Sequence, residues 1–151
     1  MDREITQQKI FRILSEQALC VVSTVSKFGQ PQSALMGFSQ NSDLEIMIGT
    51  KKSKRQYANL QQNHKVSIVV HDGRMTTVQY EGVAQEITDK AELATRQKAH
   101  FAKLPDAERF ADTEGQVYLS IKPTWARLTV HDGSDPEEID FNEVFEQGRF
   151  N

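Results

Sequence analysis

Hydroxyl and cationic side chains gather most densely in Gly49-Thr50-Lys51-Lys52-Ser53-Lys54-Arg55-Gln56. A strand-like run, Leu44 to Ile48, leads into this stretch, and an amphipathic segment through Tyr57 and Leu60 leads out of it. No acidic residue occurs from Ile46 to His71, although the whole chain has a net charge of −3. The first turn of a helix carries unpaired N–H groups and a partial positive charge. Hydroxyls and cations beside those groups make a phosphate site. A one-signed block that leaves a strand and opens a helix therefore predicts a bound anion. The competing reading is a solvated, lysine-rich helix start.

Other chemistry-bearing patterns are weaker. His71-Asp72-Gly73 and His131-Asp132-Gly133 echo each other, each after an apolar run. They read as a metal pair or as two strands that end in the same Asp-Gly turn. The turn is favoured, because no third ligand has metal-site spacing. No Ser-His-Asp constellation, nucleotide-binding glycine pattern or paired carboxylate for acid–base work stands out. No catalytic side chain and no metal ligand is therefore expected. Cys20 is the lone cysteine, flanked by Leu19 and Val21-Val22, and reads as a buried strand thiol. Apart from Tyr57, the basic cluster lacks the interleaved aromatics that stack bases. A discrete phosphate fits it better than a nucleic-acid strand.

These residues must be positioned by surrounding elements. Thr6 is expected to cap a helix with the inward stripe Ile10, Phe11, Leu14 and Ala18. Leu19–Ser26 and Gln32–Ser39 read as strands joined across Lys27-Phe28-Gly29-Gln30-Pro31, hence an antiparallel hairpin. Leu44–Gly49 is a third strand, and the basic segment then runs as a helix to about Gln62. Lys65–His71 and Met75–Ile87 are strands four and five, and Gly82 marks a bulge or barrel bend. A helix capped at Thr88-Asp89 runs to about Lys103, where Pro105 interrupts it, and one more helical turn is expected over Asp106–Ala111. Gln116–Val130 is the last extended stretch, bent at Pro123. The count is six strands with few helices, mainly β (α+β): a small antiparallel barrel with flanking helices rather than a doubly wound sheet.

The length suits one domain, residues 1–132, followed by a tail over 133–151. That tail holds six acids and one arginine, with Phe141, Val144, Phe145 and Phe150 among them. It reads as a docking amphipathic helix or a flexible end. A hydrophobic fraction of 38% and a charged fraction of 26% are ordinary for a soluble domain. No apolar run approaches the ~20 residues of a membrane span. Met1-Asp2-Arg3-Glu4 does not resemble a signal peptide. A cytoplasmic protein with neither membrane nor nucleic-acid partners is expected.

The order of the elements resembles the pyridoxamine 5′-phosphate oxidase-like flavin-binding split β-barrels. The resemblance rests on Gly29-Gln30-Pro31, on Thr50 through Asn59-Leu60, and on Asn63-His64-Lys65-Val66-Ser67, with a looser match at Pro123-Thr124-Trp125-Ala126-Arg127-Leu128. It implies a homodimer that binds FMN at the subunit interface and serves a small-molecule substrate or electron donor. Ala34, Leu35, Met36, Gly37, Phe38 and Ser39 would lie along the flavin ring. Gly49 and Thr50 would lie near the ribityl phosphate. Lys54 and Arg55 stand at the serine-arginine positions of the phosphate grip, beside Ser53, and Gln56 stands where a lysine is usual. Lys51 or Lys54 would restore that missing charge. Thr77 and Gln79 sit where the family contacts the cofactor from the neighbouring subunit. The chain ends without the arginine-histidine signature of the true oxidase, so another flavin-dependent reaction is expected. A deazaflavin or haem on the same barrel, or a non-catalytic flavin- or pyridoxal phosphate-binding stress protein, are the alternatives.

Overall fold

The computed structural model describes residues 2–142. In chain order the elements are α1 (Arg3–Glu16), β1 (Leu19–Val25), β2 (Pro31–Gly37), β3 (Ser39–Gln40), β4 (Ile46–Lys51), α2 (Arg55–Gln62), β5 (Lys65–His71), β6 (Thr76–Glu86), α3 (Lys90–Lys103), a 3-10 helix (Pro105–Phe110), β7 (Gln116–Val130) and β8 (Glu137–Asp140). The strands pair antiparallel in the order β2-β1-β5-β6-β7-β4-β3, with β8 added to β7. The sheet curls into a split half-barrel with the helices on its flanks. Among the described residues no helix is long and apolar enough to cross a membrane.

Period-two patterning drives the sheet. In β5, Val66, Ile68 and Val70 face the core while Lys65, Ser67, Val69 and His71 face outward. The inward residues of β1, β4, β6 and β7 complete the core, with Ile10 and Leu14 of α1 and Phe38 closing it. Tyr80 is buried there, and its hydroxyl donates to the carbonyls of Leu44 (2.7 Å) and Ile121 (3.0 Å). Burial thus leaves its one polar atom satisfied.

Several boundaries differ from expectation. There are eight strands among the described residues, not six. The expected Gln32–Ser39 strand divides at Phe38, whose ring is fully buried. Asp2 caps α1 by accepting from the N–H groups of Glu4 and Ile5. Thr6 is instead buried in the helix and donates to Glu137 Oε1 at 3.0 Å. The helix after β4 starts only at Arg55, so Lys51 ends the strand and Lys52-Ser53 form the turn. Gln116–Val130 is one continuous strand, and its irregularity lies beside Pro123: the register steps from Glu81–Trp125 to Gly82–Pro123, which leaves Thr124 of β7 as the extra residue of a bulge opposite Gly82. A Cβ on Gly82 would lie 2.5 Å from the Lys122 carbonyl oxygen, so only glycine fits opposite this bulge.

The start of the acidic tail is a strand rather than a helix. β8 pairs with β7, Ile139 is buried, and Glu137 takes an ion pair from Lys9 at 3.1 Å. Glu138 pairs with Arg127. Phe141 packs against the core beneath the Arg3 guanidinium, 5.1 Å from its ring. Val144, Phe145 and Phe150 lie outside the described residues.

Candidate functional site

A cleft of about 420 Å³ opens between β2 and β4 on one side and α3 with the 3-10 helix on the other. Ala34, Leu35, Met36 and Gly37 all line it. Successive strand side chains point to opposite faces, so four consecutive residues share a cleft only where the strand turns its backbone edge toward it. Among the described residues β2 is the terminal strand of the sheet order, and its outer edge has N–H and C=O groups not used in a strand pair.

The polar end is built by β4 and α2. Gly49, Thr50 and Lys51 end the strand, and Lys54 and Gln56 open the helix. Thr50 is 5% exposed, and its hydroxyl accepts from Gln56 Nε2 at 3.1 Å. The same amide reaches Met36 Sδ at 3.4 Å, which joins the helix start to the β2 edge. Lys54 is the N-cap of α2 and makes no side-chain capping bond, and the first turn holds no acidic residue. Free N–H groups and ammonium groups thus share this end. Asn59 fixes the helix from behind: buried, it donates to Thr24 Oγ1 and Gln32 Oε1, both at 2.9 Å. Gly49 lets Gln116 and Tyr118 come close, since a Cβ there would lie 2.8 Å from Gln116 Nε2 and 3.0 Å from the Tyr118 ring.

The opposite wall is mostly apolar: Leu104, Ala107 and Phe110, with Tyr118 beside them. Leu104 seals it against β2, where a Cβ on Gly37 would sit 3.2 Å from Leu104 Cδ1. His100 is the exception on this wall. Its Nδ1 lies 2.7 Å from Ser39 Oγ, and its ring meets Phe101 and Tyr118 edge-on. Burial pulls its pKa down to about 4, and the positive charges of Lys103 and Arg96 push the same way. Lys103 is itself partly buried, over the Phe38 ring at 3.7 Å and bonded to the Leu14 carbonyl and Gln40 Oε1. Burial lowers its pKa to about 8.

Of the residues expected from sequence, Ala34, Leu35, Met36, Gly37, Gly49, Thr50, Lys51, Lys54 and Gln56 come together in this cleft. Phe38 lies in the core, and Ser39 is buried behind the wall, holding His100. Ser53 is exposed and lines no part of the cleft. Arg55 borders a narrow crevice with Thr24, Gln32 and Ser33 that adjoins the cleft and shares Ala34, Met36 and Gln56 with it. Thr77 and Gln79 lie on β6, away from the cleft of their own chain, and Thr77 Oγ1 is 3.1 Å from His131 Nε2. His100, Leu104, Ala107, Phe110, Gln116 and Tyr118 had no distinguishing signal in sequence. Their partners are far away along the chain, as with Ser39 and His100.

The two Asp-Gly repeats are turns. Asp72 accepts from the N–H groups of Arg74 and Thr76, Asp132 accepts from that of Ser134, and Gly73 and Gly133 have φ of 80° and 91°. Among the described residues no group of three His, Cys, Asp or Glu side chains is placed to hold a metal ion. Cys20 is buried, which pushes its thiol up to about 12 and makes it a poor nucleophile.

The sequence profile of the pyridoxamine 5′-phosphate oxidase family matches residues 6–130. No curated protein sequence matches the chain. Solved structures match well in shape. A haem-binding protein from Mycobacterium smegmatis superposes with a TM-score of 0.80 at 15% identity, covering 93% of this chain and 60% of that one, so this chain spans less than two thirds of its length. General Stress Protein 26 from Bacillus anthracis gives 0.72 at 20% identity, covering 90% of this chain and 98% of that one. The haem storage protein HutZ from Vibrio cholerae gives 0.67 at 19% identity, covering 85% and 95%. At these identities the likeness establishes a shared split-barrel fold.

Proposed function

The chain belongs to the pyridoxamine 5′-phosphate oxidase family, and from that premise we propose that it is a cytoplasmic, homodimeric FMN-binding oxidoreductase. The observation that carries this reading is the composition of a single cleft. Thr50, Lys51, Lys54 and the α2 N-terminus offer an anion site at one end, and the backbone edge of β2 runs along its side. A ribityl phosphate suits the first, and the donor–acceptor edge of a flavin ring suits the second. FMN, when bound, supplies two-electron transfer between a reduced nicotinamide or organic donor and an acceptor. This chain's residues supply binding and orientation, and the reaction does not need an ionised nucleophile.

A second copy is favoured by the outer face of the sheet. Leu35, Val21, Val69, Gln79 and Arg127 stand in one register row across β2, β1, β5, β6 and β7. Leu35 is 68% exposed and Val69 37%. A partner on this face would cover its apolar half and bring Thr77 and Gln79 toward the partner's cleft, the role implied for them by the family.

The test is a cofactor screen by absorbance, followed by turnover. The reading expects FMN to bind with about one equivalent per chain and to be reduced by NADH or NADPH. Uptake of haem or a deazaflavin with no uptake of FMN would overturn the cofactor. FMN uptake without reduction by any nicotinamide or organic donor would leave a binding protein instead of an enzyme.

A further inference from the structure

The α3 side of the cleft is apolar except at one built point. Leu104, Ala107 and Phe110 line it, and Phe110 is 43% exposed. Among them His100 is only 3% exposed, and the Ser39 hydroxyl that meets its Nδ1 at 2.7 Å belongs to a residue 6% exposed. A leucine would pack in this place with no polar group to desolvate. A buried imidazole with one nitrogen tied to a hydroxyl and its ring set edge-on to Phe101 and Tyr118 is held in a fixed orientation. Its second nitrogen, Nε2, is then a preset hydrogen-bonding group. The charged groups around it are Arg96 and Lys103 of α3, and both oppose a positive imidazole. The Tyr118 hydroxyl across from it on β7 is raised by burial and stays neutral.

We propose that His100, oriented by Ser39, contacts the bound ligand and recognises its uncharged hydrogen-bonding ring edge, separately from the anion taken by Thr50 and Lys54. The ligand class is therefore an anion joined to a neutral heteroaromatic ring. His100 is the specificity residue for the ring, and Ser39 is a positioning residue. The identity of that ring as a flavin rests on the proposed function; the division of labour in the cleft does not.

The experiment is NMR on histidine-labelled protein with FMN and riboflavin added separately. The His100 resonances should shift with either ligand, while those of His64, which lies outside the cleft, should not follow the titration. His100→Phe should weaken FMN and riboflavin alike, by about tenfold, the ratio that ~1.4 kcal/mol of lost hydrogen bonding corresponds to. His100→Gln, whose amide nitrogen reaches the Nε2 position, should restore part of that loss. Ser39→Ala should change the His100 nitrogen shifts and weaken both ligands less than His100→Phe does. Unmoved His100 resonances at saturating FMN overturn the inference, and the unmodified protein decides this even if a variant fails to fold. Equal binding by a folded His100→Phe variant also overturns it. If neither flavin binds the parent, the flavin reading fails by itself. Pyridoxal 5′-phosphate then serves as the probe, and no response of His100 to it overturns this inference too.

Discussion

Removing the Lys54 ammonium separates a phosphate grip from a solvated helix start. A charge-assisted hydrogen bond contributes ~1.5–3 kcal/mol when shielded. Lys54 is exposed, so solvent and salt reduce that figure. We expect Lys54→Ala to weaken FMN by ~1.4 kcal/mol, about tenfold in Kd. Riboflavin, which lacks the phosphate, should bind parent and variant within about twofold. Thr50→Val keeps the shape of a residue that is 5% exposed but removes the hydroxyl that meets Gln56. It should likewise weaken FMN more than riboflavin. Arg55 borders the adjoining crevice rather than the cleft itself, so Arg55→Ala should weaken FMN less than Lys54→Ala does. The assay is calorimetric or fluorescence titration at low and high salt, and only FMN should show a salt dependence. Equal losses for FMN and riboflavin in Lys54→Ala, or a larger loss from Arg55→Ala, would refute the placement of the phosphate.

Three other expectations concern the scaffold. Gly82→Ala places a Cβ 2.5 Å from a backbone oxygen on β7, so the bulge must open, at a cost of about 2–4 kcal/mol in urea denaturation; an unchanged midpoint would show that the bulge yields freely. Acid should favour unfolding between pH 6.5 and about 4, because the unfolded His100 takes up its proton near 6.5 and the folded one only near 4. The slope of stability across that window should flatten in His100→Gln, and an unchanged slope would assign it to other groups. Val69→Asp puts a charge into the outward apolar row, so sedimentation should show a shift from dimer to monomer with loss of FMN, and an unaltered dimer would place the interface elsewhere.

The parts of the fold that were legible from sequence were those set by local pattern. Alternation in Val66, Ile68 and Val70 specified β5, and the Asp89 cap specified the start of α3. Gly82 marked the bulge opposite it, because a Cβ there would meet the Lys122 carbonyl. What stayed hidden depends on groups far apart in the chain. Glu137-Glu138-Ile139-Asp140 has no strand-like composition, yet β8 forms because Lys9 and Thr6 meet Glu137, Arg127 meets Glu138, and Ile139 enters the core. The real cap at Asp2 competed with Thr6, which resembles a cap in sequence but spends its hydroxyl on Glu137. The same reason divides the candidate site. The β4–α2 half lies in one continuous stretch and announced itself by charge, while the α3 half depends on Ser39 and His100 meeting across 61 residues.

In the proposed function one cleft takes both the phosphate and the ring of a flavin. Crystals of the protein grown with FMN test it most directly, through difference electron density. The expected density is a phosphate within hydrogen-bonding distance of Thr50 and Lys54, with the ring along Ala34 to Gly37. Density for FMN elsewhere on the chain, or a phosphate held at Arg55 instead, would contradict it.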